Sequence, residues 1–400
     1  MFKSPGLLIP ETMEKIRVLQ IVPMLAPGGA ERVAVHLAKG LDPDRYEAAI
    51  LSLGPRVGSD LERLLDEAGI EIKCLGKTPG FDHRMYPRLL RLFGDWQPDI
   101  VHTHIQVLRY VLPTTLVFRS TRFLHTVHNL AEYEVEPRAR WIQRYSFRHG
   151  VVPIAVAEKV ALSLRQLYQI QECRVILNGI PTGQYARPRL TREEWRRRER
   201  FADDEVLFVS VARFAPQKNH ALLLNAFAGG PAQNPKAQLV LVGDGQNREQ
   251  LEAQARDLGI RNQVRFLGLR TDIPEVLGAM DVFVLSSDFE GNPLCVMEAM
   301  ASGLPIVSTA VGGIPDLLES RKEGLLVRPG DVGALASSMA SLLREEETRR
   351  EFGRAAARRA REQFDVSKMV QAYEEVYEEL VHGSGPSAPR ALVNDCALPA

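Results

Sequence analysis

Short apolar runs alternate with amphipathic segments along most of the chain. In the first half, strand-like runs occupy 16–22, 48–53, 99–104, 122–129 and 151–156. The rhythm restarts in the second half, with runs at 206–212, 237–245, 263–268, 281–287 and 304–309. Strands that alternate with helices predict parallel sheets covered by helices on both faces. Because crossovers are right-handed, each half is predicted to be a doubly wound, Rossmann-like α/β unit.

The segment ILNGIPTGQY (176–185) marks the predicted boundary between the two units. We therefore predict an N-terminal extension, two domains, a final amphipathic helix and a flexible tail, at 1–14, 15–180, 181–363, 364–380 and 381–400. The final helix is expected to pack back on the first domain, and the tail is rich in small residues and proline. Ligands of open α/β sheets lie outside the carboxyl ends of the strands, so the two domains are expected to face one another across a cleft.

Composition narrows the class of protein. The 400 residues are 45% hydrophobic, and 50 basic residues balance 50 acidic ones, which disfavours nucleic acid as a partner. The cysteines are scattered, which fits a reducing cytosol: Cys74, Cys173, Cys295 and Cys396. No run approaches the roughly 20 apolar residues of a spanning helix, and no signal peptide is predicted. A cytoplasmic protein is expected.

The most informative segment is DFEGNPLCVMEAMASGLPIVSTAVGGIPD, which runs from 288 to 316. From 291 to 315 its only charged residue is Glu298, and a carboxylate in such a run needs hydrogen-bond donors. Asn292 and Pro293 predict an N-cap and a first helical residue. Glu290 and Glu298 then flank a helix N-terminus, which favours an anion. A ligand with phosphates and hydroxyls fits; the alternative is a helix cap with one satisfied buried glutamate.

Three further loops follow predicted strands. Gly28 and Gly29 would let the backbone approach a phosphate, although a plain tight turn explains them equally well. Arg213 and Lys218 stand five residues apart and are suited to a diphosphate; alternatively, they are solvated loop cations. Backbone groups of VGDGQ and RFLG, around Gly243 and Leu267, could hold a planar base, or form structural turns.

Four histidines end two neighbouring strands of the first domain: His102, His104, His125 and His128. A zinc site is disfavoured because no acidic ligand joins them at a familiar spacing. His128 is nearest the carboxyl end of its strand and is best placed to reach into the cleft. The alternative is a buried, hydrogen-bonded histidine.

In this order, these motifs resemble the GT4-type retaining glycosyltransferases, the group 1 glycosyl transferases of the GT-B fold. The resemblance covers roughly residues 15–380. It is most specific in the second domain, through the E-x7-E pair Glu290 and Glu298, with VARFAPQKNH and LVGDG. The first domain matches through PGGAERV and HTVHN.

The resemblance implies a nucleotide-diphosphate sugar, expected to be a UDP-sugar, bound mainly to the second domain. Glu298 would bind the ribose, Glu290 the donor sugar, and Arg213 and Lys218 the diphosphate. His128 would bind the sugar near the reacting carbon. The remaining expected contacts to the donor come from Gly28, Gly29, Gly243, Leu267, Gly291, Asn292, Pro293 and Leu294. Retention of configuration, no metal and no cofactor are expected.

The acceptor is less defined by the sequence. It is expected on the first domain, as a saccharide or a lipid-linked molecule used in cell-surface polysaccharide or glycolipid synthesis. Basic stretches with aromatics at 83–96 and 136–150 fit either an anionic membrane surface or ordinary solvated helix faces. Two functional alternatives stay open: another GT-B enzyme, such as a nucleotide-sugar epimerase, and a catalytically silent sugar-nucleotide binding protein.

Overall fold

Two parallel sheets organise the computed structural model, which describes residues 14–383. The first sheet has strands β1 (Ile16–Val22), β2 (Tyr46–Ser52), β3 (Glu71–Cys74), β4 (Ile100–His104), β5 (Arg122–Val127), β6 (Val151–Ala155) and β7 (Arg174–Val175). The second has β8 (Val206–Val211), β9 (Ala237–Val242), β10 (Val264–Gly268), β11 (Val282–Leu285), β12 (Ile306–Thr309) and β13 (Gly324–Val327). The predicted pair of doubly wound α/β domains is confirmed.

Both sheets reverse their winding direction at one point. The strand orders are β3-β2-β1-β4-β5-β6-β7 and β10-β9-β8-β11-β12-β13. The switch points therefore lie between β1 and β4 and between β8 and β11, where crevices form outside the carboxyl ends of the strands. All pairings are parallel within these two described sheets.

The sequence pattern identified ten of the strands and missed β3, β7 and β13. All three are short and lie at sheet edges, where a strand has a neighbour on one side only. β3 (EIKC) is exposed or half-buried throughout, so its side chains lack the apolar run that marks a central strand. The interior strands were found because they are buried on both faces.

Helices cover both faces of each sheet. In the first domain they are α1 (Gly29–Gly40), α2 (Asp60–Glu67), α3 (Met85–Trp96), α4 (Leu108–Val117), α5 (Ala131–Glu134), α6 (Arg140–Arg148) and α7 (Glu158–Tyr168). They continue with α8 (Thr182–Ala186), α9 (Arg192–Glu199), α10 (His220–Gly229), α11 (Arg248–Asp257), α12 (Ile273–Gly278), α13 (Leu294–Ala301) and α14 (Ile314–Leu317). The last three are α15 (Val332–Arg344), α16 (Glu346–Gln363) and α17 (Val366–His382).

Helix α17 leaves the second domain and packs against the first. Asp365 caps its start by accepting from the Ser367 amide at 3.1 Å, and it bridges Ile180. The helix then lies on α1, and Tyr373 and Tyr377 are buried against the first sheet. The predicted domain boundary at 180/181 falls between β7 and β8. The predicted extension and tail lie almost wholly outside the described residues.

Candidate active site

Glu298 is the buried carboxylate of the long apolar segment, and it has a cationic partner from the other domain. It lies on α13 with 1% of its surface exposed. Arg32 of α1 forms an ion pair with it across the cleft. The buried carboxylate therefore has a cation beside it, from a residue that the sequence pattern did not identify. Arg32 is encoded in the PGGAERV segment, three positions after Gly29.

Tyr185 joins this pair from α8. Its hydroxyl accepts a hydrogen bond from Arg32 Nη2 at 2.9 Å. The Glu298 carboxylate raises the pKa of Arg32 despite burial, and burial raises the pKa of Tyr185 above its usual range. A charged arginine and a neutral phenol therefore meet beside the Glu298 carboxylate, between the domains.

Glu290 forms the second buried ion pair, on the loop between β11 and α13. Its Oε1 lies 2.5 Å from Lys218 Nζ and accepts from Ser287 Oγ at 2.6 Å. Burial lowers the pKa of Lys218, but the Glu290 carboxylate and Cys295 together outweigh burial, and the pKa is raised. The ammonium is therefore charged, within a site that removes most of its water.

Arg213 follows β8 and is exposed. Among residues 14–383 its guanidinium has no ion-pair partner, so it can bind an added anion. Across the cleft, the Glu31 carboxylate folds over Gly28, where an added Cβ would overlap it. Burial raises the pKa of Glu31, and the Arg213 charge lowers it in part. The glycines of the first domain and the cations of the second thus face the same space.

The start of α13 differs from the prediction. Asn292 is not the N-cap; Pro293 is, and the helix begins at Leu294. Asn292 instead ties two segments together, since its Oδ1 accepts from the Asn178 amide at 3.2 Å and its carbonyl accepts from Asn178 Nδ2 at 2.8 Å. Asn292 Nδ2 is fully enclosed without a partner in the described chain. The side chain was wrongly assigned because Asn-Pro is common at caps, whereas here it contacts the interdomain segment.

Three glycines allow close backbone packing around the loop before α13, and one of them, Gly291, lets the backbones of the two domains meet. A Cβ at Gly291 would overlap the backbone oxygen of His128. Gly312 has φ +54° and packs on the Glu290 carbonyl, and Gly313 donates to the Gly291 carbonyl at 2.7 Å. Gly291 therefore places the first-domain histidine directly against the second-domain loop between β11 and α13, residues 286–293, which we call the donor loop.

The backbone groups of the two predicted base-binding loops are only partly free to bind a base. Gly243 has φ +136°, and a Cβ there would overlap the Ala212 carbonyl. Its amide donates to the Gly268 carbonyl at 2.8 Å, so this N–H is used inside the protein. Leu267 is half-buried at the end of β10 and contacts the core. The structure thus brings both residues to the rim of the second sheet.

His128 lies at the end of β5 and is half-buried. Its Nε2 is 3.0 Å from His104 Nδ1, and His104 Nε2 is 2.8 Å from Gln20 Oε1. Burial lowers the pKa of His128 to about 3, and it lowers the pKa of His104 as well. Both rings are therefore neutral at ordinary pH. His128 fits both alternatives. Its Nε2 is hydrogen-bonded to His104 inside the first domain, and the other side of the ring is open to the cleft.

A second group beside His128 was missed by the sequence reasoning. Glu134 of α5 is buried, its Oε1 has no partner within the described residues, and burial raises its pKa to about 8. The backbone amides of His128 and Asn129 partly oppose this shift. Its neighbour Tyr133 stacks on Phe289 of the second domain at 4.1 Å between ring centroids. The only sequence signal was an acidic residue shortly after a strand end.

The remaining expectations concern metals and membranes. Within residues 14–383, no group of three or more His, Cys, Asp or Glu side chains is arranged to hold a metal ion. In the same part of the chain, no helix combines the length and apolar character needed to cross a bilayer.

Comparisons with known proteins match both halves of the chain. Residues 191–359 match the family described as Glycosyl transferases group 1, and residues 27–184 match Glycosyltransferase Family 4. The chain is 31% identical to the lipopolysaccharide core biosynthesis glycosyltransferase LpsE of Rhizobium meliloti, over 86% of this chain and 94% of the relative. It is 25% identical to N-acetyl-alpha-D-glucosaminyl L-malate synthase of Bacillus anthracis, over 88% and 94%.

Solved structures agree on the fold. Anabaena HepE in complex with UDP-glucose superposes with a TM-score of 0.79 at 21% identity, over 91% of this chain and all of that one. A sucrose-phosphate synthase from Thermosynechococcus elongatus gives 0.78 at 20% identity, over 92% and 100%. The two-domain architecture with a cleft is therefore shared with these structures.

Proposed function

Because the chain belongs to the group 1 glycosyl transferases, and is therefore a glycosyltransferase, we propose that it moves a sugar from a UDP-sugar to a saccharide or lipid-linked acceptor with retention of configuration. The observation that carries this proposal is the pair of buried carboxylates, Glu290 and Glu298, at the start of α13. Each has a cation beside it, Lys218 beside Glu290 and Arg32 of the first domain beside Glu298. The UDP-glucose complex of the similar HepE supports the choice of nucleotide.

In this mechanism the second domain receives the leaving group. Glu298 accepts hydrogen bonds from the ribose hydroxyls. Arg32 either keeps its ion pair with this carboxylate or releases it when the ribose binds. Arg213 and Lys218 face the diphosphate, together with the backbone at Gly28 and Gly29. Donors already in place for the charge that develops on the leaving group are usually the largest catalytic contribution.

The sugar lies between Glu290 and His128. Breaking the bond from the sugar to the phosphate leaves positive character on the ring, so a carboxylate and a neutral ring next to it are both favourable. Arginine and lysine neutralise the diphosphate, which supports chemistry without a divalent cation. No carboxylate in the described residues stands free beside His128 except Glu134, which is mostly protonated at neutral pH because its pKa is raised to about 8. We therefore favour attack from the face that the leaving group occupies.

The surface of the first domain, where the acceptor is expected, favours a lipid-linked acceptor at an anionic membrane. Helices α3, α4 and α6 pack side by side on the first domain. These helices expose Leu116, Val117 and Trp141, and they also expose Arg91 and Arg144. Exposed apolar side chains beside cations suit a surface of anionic lipid headgroups. Vesicles of phosphatidylglycerol should then co-sediment the protein, and vesicles of phosphatidylcholine should not.

Incubation with radiolabelled UDP- and GDP-sugars tests the activity. Slow release of UDP and free sugar supports a transferase, an epimerised sugar supports the epimerase alternative, and binding without turnover supports a silent binding protein. The anomeric configuration of the product, read by proton NMR, tests retention. Activity that survives EDTA would support metal independence, and activity restored only by added Mg²⁺ or Mn²⁺ would contradict it.

A further inference from the structure

A line of hydrogen-bonded side chains runs from the C-terminal helix to His128. Tyr377 of α17 accepts from Gln20 Nε2 at 2.9 Å. Gln20 Oε1 is 2.8 Å from His104 Nε2, and His104 Nδ1 is 3.0 Å from His128 Nε2. Tyr377, Gln20 and His104 are completely buried, so water does not compete for these contacts.

The amide of Gln20 sets the direction of every hydrogen in this line. Its Oε1 can only accept, so His104 Nε2 carries a hydrogen. His104 is neutral and has one N–H, so its Nδ1 is an acceptor. His128 Nε2 must then donate to it, and His128 Nδ1 is left with a lone pair.

A branch through His102 agrees with this direction. The Tyr377 hydroxyl already accepts from Gln20, so it donates its own hydrogen to His102 Nδ1 at 2.7 Å. His102 Nε2 then donates to Thr126 Oγ1, also at 2.7 Å. Each group in the network therefore has one consistent role, and hydrogen bonds in such chains strengthen one another.

The free nitrogen of His128 is open to the cleft. Within the part of the chain that the structure describes, nothing donates to Nδ1, and this atom is not among the enclosed polar atoms that lack a partner. The His128 carbonyl is packed on Gly291 of the donor loop. The ring therefore stands next to the space assigned to the donor sugar.

We propose that Tyr377, Gln20 and His104 are positioning residues that hold His128 as a neutral ring with its hydrogen on Nε2, so that Nδ1 accepts a hydrogen bond from a hydroxyl of the donor sugar. The inference rests on the proposed function, because that function identifies the molecule that carries this hydroxyl as the donor sugar. A neutral acceptor adds no positive charge beside a sugar ring that itself becomes positive in the transition state. The C-terminal helix thereby acts on a residue at the cleft that it does not touch.

Histidine-selective ¹⁵N NMR of the free enzyme tests the tautomer, with the His128 signal assigned from its loss in His128→Gln. Wild type should show hydrogen on Nε2 and none on Nδ1. Tyr377→Phe removes the partner that fixes the Gln20 amide, so the amide can turn and His128 should become a mixture of tautomers. Hydrogen on Nδ1 in wild type, or an unchanged His128 in Tyr377→Phe, overturns the proposal.

Tyr168→Phe is the matched control. Tyr168 is also a buried tyrosine hydrogen-bonded to a glutamine, here as the donor at 2.5 Å to Gln143 Oε1, in a network that contains His125 and does not reach His128 by hydrogen bonds. It loses one buried hydroxyl, as Tyr377→Phe does, and should leave the His128 tautomer unchanged. A mixture of tautomers in both variants would indicate general loosening and would overturn the proposal.

A conservative pair separates positioning from packing. Gln20→Met keeps the volume but removes the acceptor for His104 Nε2, so His128 should lose its fixed tautomer and release of UDP from UDP-glucose should fall roughly tenfold. Gln20→Glu keeps an acceptor for His104 Nε2, but its carboxylate favours a second proton on His104. His104 Nδ1 would then donate to His128 Nε2, so the hydrogen of His128 should move to Nδ1. If His128 keeps its wild-type tautomer in folded Gln20→Glu with His104 protonated, the proposal fails. Because the spectra need no donor, a wild type with the expected tautomer that turns over no nucleotide sugar would refute only the proposed function.

Discussion

The two domains contribute opposite chemistry to the same cleft. The second domain presents carboxylates that are paired with cations, Lys218 beside Glu290 and Arg32 beside Glu298. The first domain presents histidines that lose their charge because burial lowers their pKa. A leaving diphosphate needs fixed positive charge, whereas a sugar ring that becomes positive is better served by neutral neighbours. The two domains therefore differ as the reaction requires, because opposite charges develop on the two sides of the bond that breaks.

The largest expected effect comes from removing a cation. Lys218→Ala should lower kcat by about 10²–10³-fold and change donor binding less, because Lys218 acts on charge that develops in the transition state. Steady-state kinetics of UDP release measure this. Lys236→Ala is the matched control, because Lys236 forms an exposed pair with Asp204 at 2.7 Å far from the cleft. Equal losses in both variants would contradict the role assigned to Lys218.

Blocking the contact between the two domains should give the next largest loss of activity. Gly291→Ala places a methyl group against the His128 carbonyl, so the domains cannot meet, and kcat/KM should fall by roughly 10²-fold. Gly94→Ala in α3 is the control, since a Cβ there meets nothing within 4 Å. Its activity should match wild type.

The ion pair at the predicted ribose site should give a smaller effect. Glu298→Gln keeps the shape but removes the charge that holds Arg32, and it should weaken UDP binding by about tenfold, or about 1.4 kcal/mol. Isothermal titration calorimetry with UDP measures this. Glu374→Gln, a partly exposed carboxylate paired with Arg45, should bind UDP as wild type does; unchanged binding in Glu298→Gln would remove this residue from the site.

The same contrast explains what the sequence could predict. Glu290 and Glu298 stand out because a charge is conspicuous in an apolar segment, and Lys218 is close to a strand end. Arg32 and Tyr185 were missed because each reaches its partner only when the domains meet, and local patterns carry no record of that contact. Gln20 lies inside an ordinary strand, and only the register of β1 beside β4, which pairs it with His102, brings its side chain within reach of His104.

The pH dependence of stability separates the two kinds of titratable group within the first domain. His125 and His128 have pKa values of about 3 in the folded chain, against an ordinary 6.5. The unfolded chain therefore binds more protons between pH 3 and 6.5, and the free energy of unfolding should fall as the pH drops below 6.5. The limiting slope is about 1.4 kcal/mol per pH unit for each histidine.

Glu134 should act in the opposite direction. Its pKa is about 8 in the folded chain against 4.5, so the folded chain binds the extra proton, and its contribution to stability falls as the pH rises from 4.5 to 8. Urea unfolding from pH 5 to 9 should show greatest stability near pH 6.5. Glu134→Gln should remove the fall above pH 6.5 and steepen the rise below it, because an amide does not titrate. A variant with the same high-pH limb as wild type would show that Glu134 is ionised in the folded protein, and the first domain would then present a charge to the cleft after all.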